Sequence, residues 1–336
     1  MKTISSFFIC IFLFFGCAKK NDTASNNNNN NNNNVIPPPS SSVTNDTLSA
    51  GWTVTSSITA GNISDIFFIN DLTGYIKRFP DSIYKSTDGG YTWVPTHERV
   101  TGDNITCTPD GKIFTLLDSF ISVSTNAGTN FTRSSIPNKI FRDVFFPDNN
   151  NGYMVGTTIY HTIDGGLNWS PVQPLTGYVY SGNYSTLFFL NNTTGWIVSG
   201  QRIYYSNGSV NNWSQAIISG TTPSTDFYSV YAASANVIYA QTYSSEIFKS
   251  TDGGLHFSLI KILETGNSFS DIHFIDENNG YAAHGNRIYK TTDGGSTWQV
   301  VVALSPASDP IIEIHFTDAG HGWGCTYDGG RILAYR

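Results

Sequence analysis

The residues of this 336-residue chain that could do chemistry recur at fixed places instead of gathering in one motif. A carboxylate opens a hydrophobic run at Asp65, Asp103, Asp143, Asp271 and Glu313. Two carboxylates about 5–9 Å apart in a groove would suit glycoside hydrolysis. The same groups can instead cap backbone amides or balance nearby cations. Cations recur as well: Arg202 in "GQRIYY", Arg287 in "GNRIYK" and Arg331 in "GGRILA", with Lys77 and Arg78 in the same region of the first repeat, "GYIKRFPDS". Brought together, Lys77, Arg78, Arg287 and Arg331 would take an anion or an acidic partner. Spread over loops, they would be solvated charges. The third recurrence is the stretch "KSTDGGYTW" (85–93), which returns as "HTIDGGLNW" (161–169), "KSTDGGLHF" (249–257) and "KTTDGGSTW" (290–298).

Every residue of that box has a local structural task. Gly-Gly permits positive φ, where other residues lose roughly 1–2 kcal/mol. The Asp accepts hydrogen bonds from turn amides, and the Ser or Thr bonds the same loop. The closing aromatic then packs between neighbouring units. Ser86, Asp88, Gly89 and Trp93, with Asp164, Trp169, Asp252, Phe257, Asp293 and Trp298, are therefore assigned to structure and none to catalysis. No Gly-x-Ser-x-Gly, no phosphate-binding loop and no His/Cys/Asp set with metal-ligand spacing is present, so neither cofactor nor metal is expected.

The box also measures the element that must carry it. Its closing aromatics are Trp93, Phe131, Trp169, Trp213, Phe257 and Trp298, at intervals of 38, 38, 44, 44 and 41 residues. Two boxes are degenerate, "STNAGTNF" (124–131) and "SNGSVNNW" (206–213). A second marker keeps step: "DIFFINDLTGYI", "DVFFPDNNNGYM", "TLFFLNNTTGWI", "DIHFIDENNGYA" and "EIHFTDAGHGWG", with weaker copies at 104–114 and 229–239. That makes seven markers against six boxes. Four short strands per 40 or so residues is the signature of a propeller blade. The chain is expected to be all-β, a single seven-bladed β-propeller of four-stranded antiparallel blades over residues 49–336. The last copy has three strands, ending in "RILAYR". Trp52 lies one period, 41 residues, before Trp93. The N-terminal strand around Trp52 should therefore supply the missing strand and close the ring.

The box resembles the Asp-box, or bacterial neuraminidase repeat, of sialidases, sortilin-type receptors, xyloglucanases and photosystem II assembly factors. The longer pattern "NNGYAAHGNRIYKTTDGGSTW" (278–298) is most similar to the photosystem II assembly and stability factors. That resemblance covers residues 50–336. It implies a single seven-bladed propeller whose boxes lie away from the ligand face, and a non-catalytic interaction or assembly factor whose arginine-rich patch meets a client protein. A carbohydrate-binding or sialidase-like surface protein is the alternative. "SSIPNK" (134–139) has no Arg before Ile136, so the early Arg-Ile-Pro of sialidases is missing.

The first residues direct the chain out of the cytoplasm. Lys2 precedes "FFICIFLFF", too short to span a membrane comfortably. It ends at "FFGC", which resembles a lipoprotein cleavage box with Leu13 displaced by one place. The expectation is a signal peptide over 1–16, lipid on Cys17, and an Asn/Pro/Ser-rich disordered tether over 17–48. Asp22-Thr-Ala and Asp46-Thr-Leu resemble bacterial O-glycosylation acceptors. The expected location is the cell envelope, with the membrane reached through lipid alone. The partner is expected to be another exported or membrane protein, or a glycan, and the chain a monomer. A net charge of −7 with no basic arm argues against nucleic acid. Cys107 and Cys325 fall on non-adjacent blades and are expected to stay as buried thiols.

Overall fold

The computed structural model describes residues 46–336 apart from short stretches at 59–61, 80–81, 97–101, 103, 138, 157, 173–184, 207, 221, 265–269 and 306–308. Seven antiparallel blades form a closed ring. Their innermost strands are Ile63–Phe68, Asn104–Cys107, Phe141–Phe145, Ser185–Phe189, Phe227–Ala232, Ser270–Phe274 and Ile311–Phe316. The second strands are Gly74–Arg78, Ile113–Leu117, Gly152–Gly156, Gly195–Ser199, Ile238–Thr242, Gly280–His284 and Gly322–Thr326. Two blades gain a fifth strand at the rim. Ile217–Ser219 lies parallel to His256–Ile262 of blade five, and Thr47–Leu48 pairs antiparallel with Gln299–Ala303 of blade six. Asp46 to Leu48, the end of the expected tether, thus belong to the described fold.

The ring closes through Trp52–Ser57, which pairs with Arg331–Tyr335 as the outer strand of blade seven. Trp52 is buried, edge-on to Tyr281 and Phe316 at 6.1 Å each. The two chain ends therefore share one sheet, and Arg331–Tyr335 is paired on both sides. Cys107 and Cys325 are free and buried, as expected.

The recurring "F…NGY" marker joins one blade to the next. The aromatic of the second strand stacks on the last aromatic of the following blade's innermost strand. The pairs are Trp323 on Phe68, Tyr153 on Phe189 and Tyr239 on Phe274, each at 3.6 Å, and Phe114 on Phe146 and Tyr281 on Phe316 at 4.3 Å. Such a pair adds about 0.5–1.5 kcal/mol beyond area burial. The Gly beside each stack leaves space for the ring of its own blade. A Cβ on Gly280 would lie 2.5 Å from the Phe274 ring. The two degenerate copies keep the volume by exchanging sizes across the strand pair. Cys107 faces Ile113, and Ala232 faces Ile238, where Phe faces Gly elsewhere.

The box fastens the hairpin between third and fourth strands. Ser86 Oγ donates to Asp88 Oδ1 at 2.8 Å and accepts from the Gly90 N–H, while the Tyr91 and Thr92 amides donate to Asp88. Gly89 and Gly90 have φ of 77° and 93°. In blade two Asn126 does the work of Asp, and Ala127 accepts a φ of 57°. The box also reaches the preceding blade: Trp323 Nε1 donates to the Gly89 carbonyl, Trp196 Nε1 to Gly253 and Tyr239 Oη to Gly294. Trp93 is fully buried between blades one and seven, against Phe68 and Trp323. The Asn168 amide and side chain, with the Thr162 hydroxyl, hold Asp164 down to about 2, so the box stays ionised at any ordinary pH.

Trp52→Ala is expected to destabilise the domain by about 3–5 kcal/mol, as loss of a large buried aromatic does. Deletion of residues 50–57 should lower the melting temperature further and promote association through the bared edge of Arg331–Tyr335. A truncated domain that melts like the intact one would refute closure through this strand.

Candidate binding channel

Side chains alternate along a strand, so every second residue of each innermost strand faces the axis. The first axial layer is Asp65, Asn104, Asp143, Thr186, Ser229, Asp271 and Glu313; all line both cavities of the central channel except Asn104, which lines one. Asp103 lies outside the described residues, and the register gives its expected place to Asn104. The second layer is Phe67, Thr106, Phe145, Phe188, Tyr231, His273 and His315. Its rings form a collar. Phe145, Phe188, Tyr231 and His273 follow at centroid spacings of 5.2, 4.6 and 4.5 Å. His315 lies 5.9 Å from His273 and 4.7 Å from Phe67. Thr106 of blade two is the gap. The sequence markers contain all of these residues; period-two alternation within "DIFF" and "DIHF" was the signal that separates the axial Phe or His from the packed one beside it.

The channel has two connected parts. One, of about 460 Å³, runs through the collar to Ile69 and Pro109 at the box face. The other, of about 340 Å³, opens on the opposite face past Leu117, Asp118, Arg142 and Tyr228. The layer of carboxylates stands between them.

Three of these carboxylates clamp the ring. Asp65 Oδ2 accepts from the Ile105 N–H of the next blade at 2.7 Å. Asp143 Oδ2 accepts from the Thr186 hydroxyl at 2.6 Å and the Leu187 N–H at 3.1 Å. Asp271 Oδ2 accepts from the Ile314 N–H at 3.0 Å. Each keeps a part of its surface open to the channel while protein encloses it elsewhere. Enclosure pushes Asp143 up to about 6 and Asp271 up to about 7, against the amides that stabilise their charge. Asp65 and Glu313 are raised well above the usual range by enclosure, with the neighbouring carboxylates adding to it. Burial pulls His315 down to about 4 and His273 well below its ordinary value, so the collar is uncharged at neutral pH.

The basic residues are disposed differently from one another. Lys77 is fully buried, its Cα opposite that of Asp65. Arg331 is buried in an ion cluster, its Nε 2.8 Å from Asp309 and its Nη1 3.1 Å from Asp46. Asp46 of the "DTL" stretch thus serves this cluster. Arg287 pairs with Glu264, and Arg78 Nη1 donates to the Tyr84 hydroxyl at 2.9 Å. Arg202 is exposed on blade four. Cys17 lies outside the described residues.

The molecule is a seven-bladed β-propeller with an aromatic and acidic axial channel. Among solved structures it is similar to YCF48 from Cyanidioschyzon merolae, with a TM-score of 0.68 and 18% identity over 85% of this chain and 99% of that one. The structure of YCF48 bound to D1 peptide matches with a TM-score of 0.68 and 19% identity over 89% and 99%. Virginiamycin B lyase from Staphylococcus aureus matches with a TM-score of 0.67 and 14% identity over 84% and 98%. These likenesses show the fold, which a peptide binder and a lyase share. No protein-family model and no curated protein matches the sequence.

An acid whose folded pKa lies above its ordinary value loses stability as pH rises between the two. For Asp271 that window runs from 3.8 to about 7. His315, a base pulled down to about 4, acts in the opposite sense below 6.5. The two trends offset each other in the intact domain, so the variant isolates the carboxylate. The melting temperature of Asp271→Asn relative to wild type should increase steadily from about pH 4 to about pH 8. A difference that shrinks with pH would show that the folded protein favours the Asp271 charge.

Proposed function

We propose that this chain is a non-catalytic protein-interaction or assembly factor that receives its partner on the face opposite the boxes. The observation that carries this reading is an exposed apolar and cationic surface on blades one to three of that face. Phe79 is 57% exposed at the turn after Arg78. Phe120 is exposed on blade two and carries the Arg133 guanidinium 3.7 Å above its ring. Ile140 and Arg142 follow at the entry to blade three, beside the channel mouth. Exposed aromatic and arginine side chains are the usual anchors of protein interfaces. Support also comes from the structurally similar YCF48, solved with a D1 peptide. The engagement of Asp65, Asp143 and Asp271 by blade amides favours a binding role over glycosidase chemistry, which needs carboxylates aimed at a substrate.

We further propose that the protein is exported and held to the cell envelope by lipid on Cys17, with the low-complexity segment as a spacer. The run "FFGC" and the Asn-, Pro- and Ser-rich residues after it support this reading. Cys17→Ser should move the protein from the detergent phase to the aqueous phase on phase separation.

Affinity capture with the intact lipoprotein, beside a glycan array, tests the interaction. One protein client should be recovered, and Phe79→Ser with Phe120→Ser should weaken its binding by about tenfold or more at unchanged melting temperature. Binding to glycans alone, or a client indifferent to both substitutions, would overturn the proposal.

A further inference from the structure

The axial channel combines three features that the docking face does not explain. Its wall is a collar of six rings, Phe67, Phe145, Phe188, Tyr231, His273 and His315. Beside the collar stand four carboxylates, Asp65, Asp143, Asp271 and Glu313. Among the described lining residues the one permanently cationic side chain is Arg142, at the outer mouth and 3.9 Å from Asp118. The third feature is an unpartnered hydroxyl at the channel wall. Ser229 is 8% exposed, lines both parts of the channel, and its hydroxyl has no hydrogen-bond partner. Glu313 likewise accepts no hydrogen bond among the described residues, unlike Asp65, Asp143 and Asp271. A carboxylate without protein donors keeps its lone pairs open to a ligand, and a buried hydroxyl without a partner costs stability.

We propose that the channel binds an organic cation, an ammonium or guanidinium group, between the aromatic collar and the carboxylate layer. The faces of neutral aromatic rings attract such a cation, more strongly where water is excluded. The Tyr231 hydroxyl and His273 Nε2 lie 3.1 Å apart, and His315 Nε2 donates to the Phe68 carbonyl at 3.0 Å, so these rings are fixed in place. Glu313 and the open lone pairs of the clamping carboxylates accept the N–H groups. The two parts, about 460 and 340 Å³, are large enough for a lysine or arginine side chain or for a slender polyamine. Enclosure in the free channel disfavours the charged form of its carboxylates; a bound cation favours it. Binding therefore releases protons and strengthens as pH rises. The titratable groups that face this site are Asp65, with Lys77 across its strand pair, and Cys107, Asp143, Tyr231, Asp271, His273, Glu313, His315 and Cys325; Arg142 and Asp118 stand at the mouth.

Titration calorimetry of the intact propeller tests the site with two probes: a blocked tetrapeptide carrying one Arg or Lys, and spermidine. At least one should bind saturably with one-to-one stoichiometry, more tightly at about pH 8 than at about pH 6, with proton release seen as a dependence on buffer ionisation enthalpy. Which probe binds tells whether the cation belongs to a polypeptide or to a free amine. The same tetrapeptide with citrulline in place of Arg, or norleucine in place of Lys, lacks the charge and should not bind. Glu313→Gln should weaken binding by about tenfold or more without lowering the melting temperature, and Phe188→Leu, a separate change in the collar, should weaken it as well. Absence of binding by every cation, equal binding of citrulline or norleucine peptides, or indifference to both Glu313→Gln and Phe188→Leu would overturn the proposal. Client capture through Phe79 and Phe120 is a separate readout, so either proposal can fail while the other stands.

Discussion

The structure depends on one contact repeated around the ring: an aromatic side chain of one blade lying flat on an aromatic of the next. A four-stranded sheet of this size has two faces to bury and no helix to cover them. Stacking against neighbours solves this, with a ring on a ring at five of the seven joints. The Trp323–Phe68 stack at 3.6 Å matters most in this respect, because it joins the last blade to the first. The constraint reaches into the sequence as a size rule across the first strand pair. Phe with Gly, Cys with Ile, and Ala with Ile all fill the same space. A blade may therefore lose its Phe, provided that it also loses its Gly.

The channel follows from the same alternation. Once Ile66 and Phe68 turn into the blade stack, Asp65 and Phe67 must face the axis. The carboxylates are then within reach of the next blade's amides and brace the ring. Enclosure makes their charge unfavourable, and this couples the axis to pH. The cation we propose for the channel would return these raised carboxylates to their ionised forms.

Basic residues at one place in the repeat did not share one fate. The repeat sets the backbone position of Arg202, Arg287 and Arg331 at the start of the third strand, whereas Lys77 lies in the second strand and the surroundings of each are made by neighbours that do not repeat. Arg331 is met by Asp46 and Asp309, from the two sides of the ring closure, and Arg287 by Glu264 of the loop between blades. Exposed Phe79 lies in the turn between second and third strands, and Phe120 takes in blade two the place that Arg202 and Arg287 take in theirs. A side chain that departs from the repeat in this way has no period to reveal it.

The sequence by itself determined the blade count, the box as a hairpin fastener and the closure at Trp52. These are consequences of periodicity and of the strand that the final copy lacks, both countable along the chain. It also contained the carboxylates of the axial layer, although the register moved one place from Asp103 to Asn104. Only the tertiary structure decided that Phe and Tyr of one marker serve different blades, that six rings close into a collar, and that Ser229 faces the channel unpartnered. Those facts depend on which blade comes next in space and on how far strands tilt and twist around the axis. No local spacing records that, because the contacts join residues about one blade apart in sequence and, at the closure, nearly the whole chain apart.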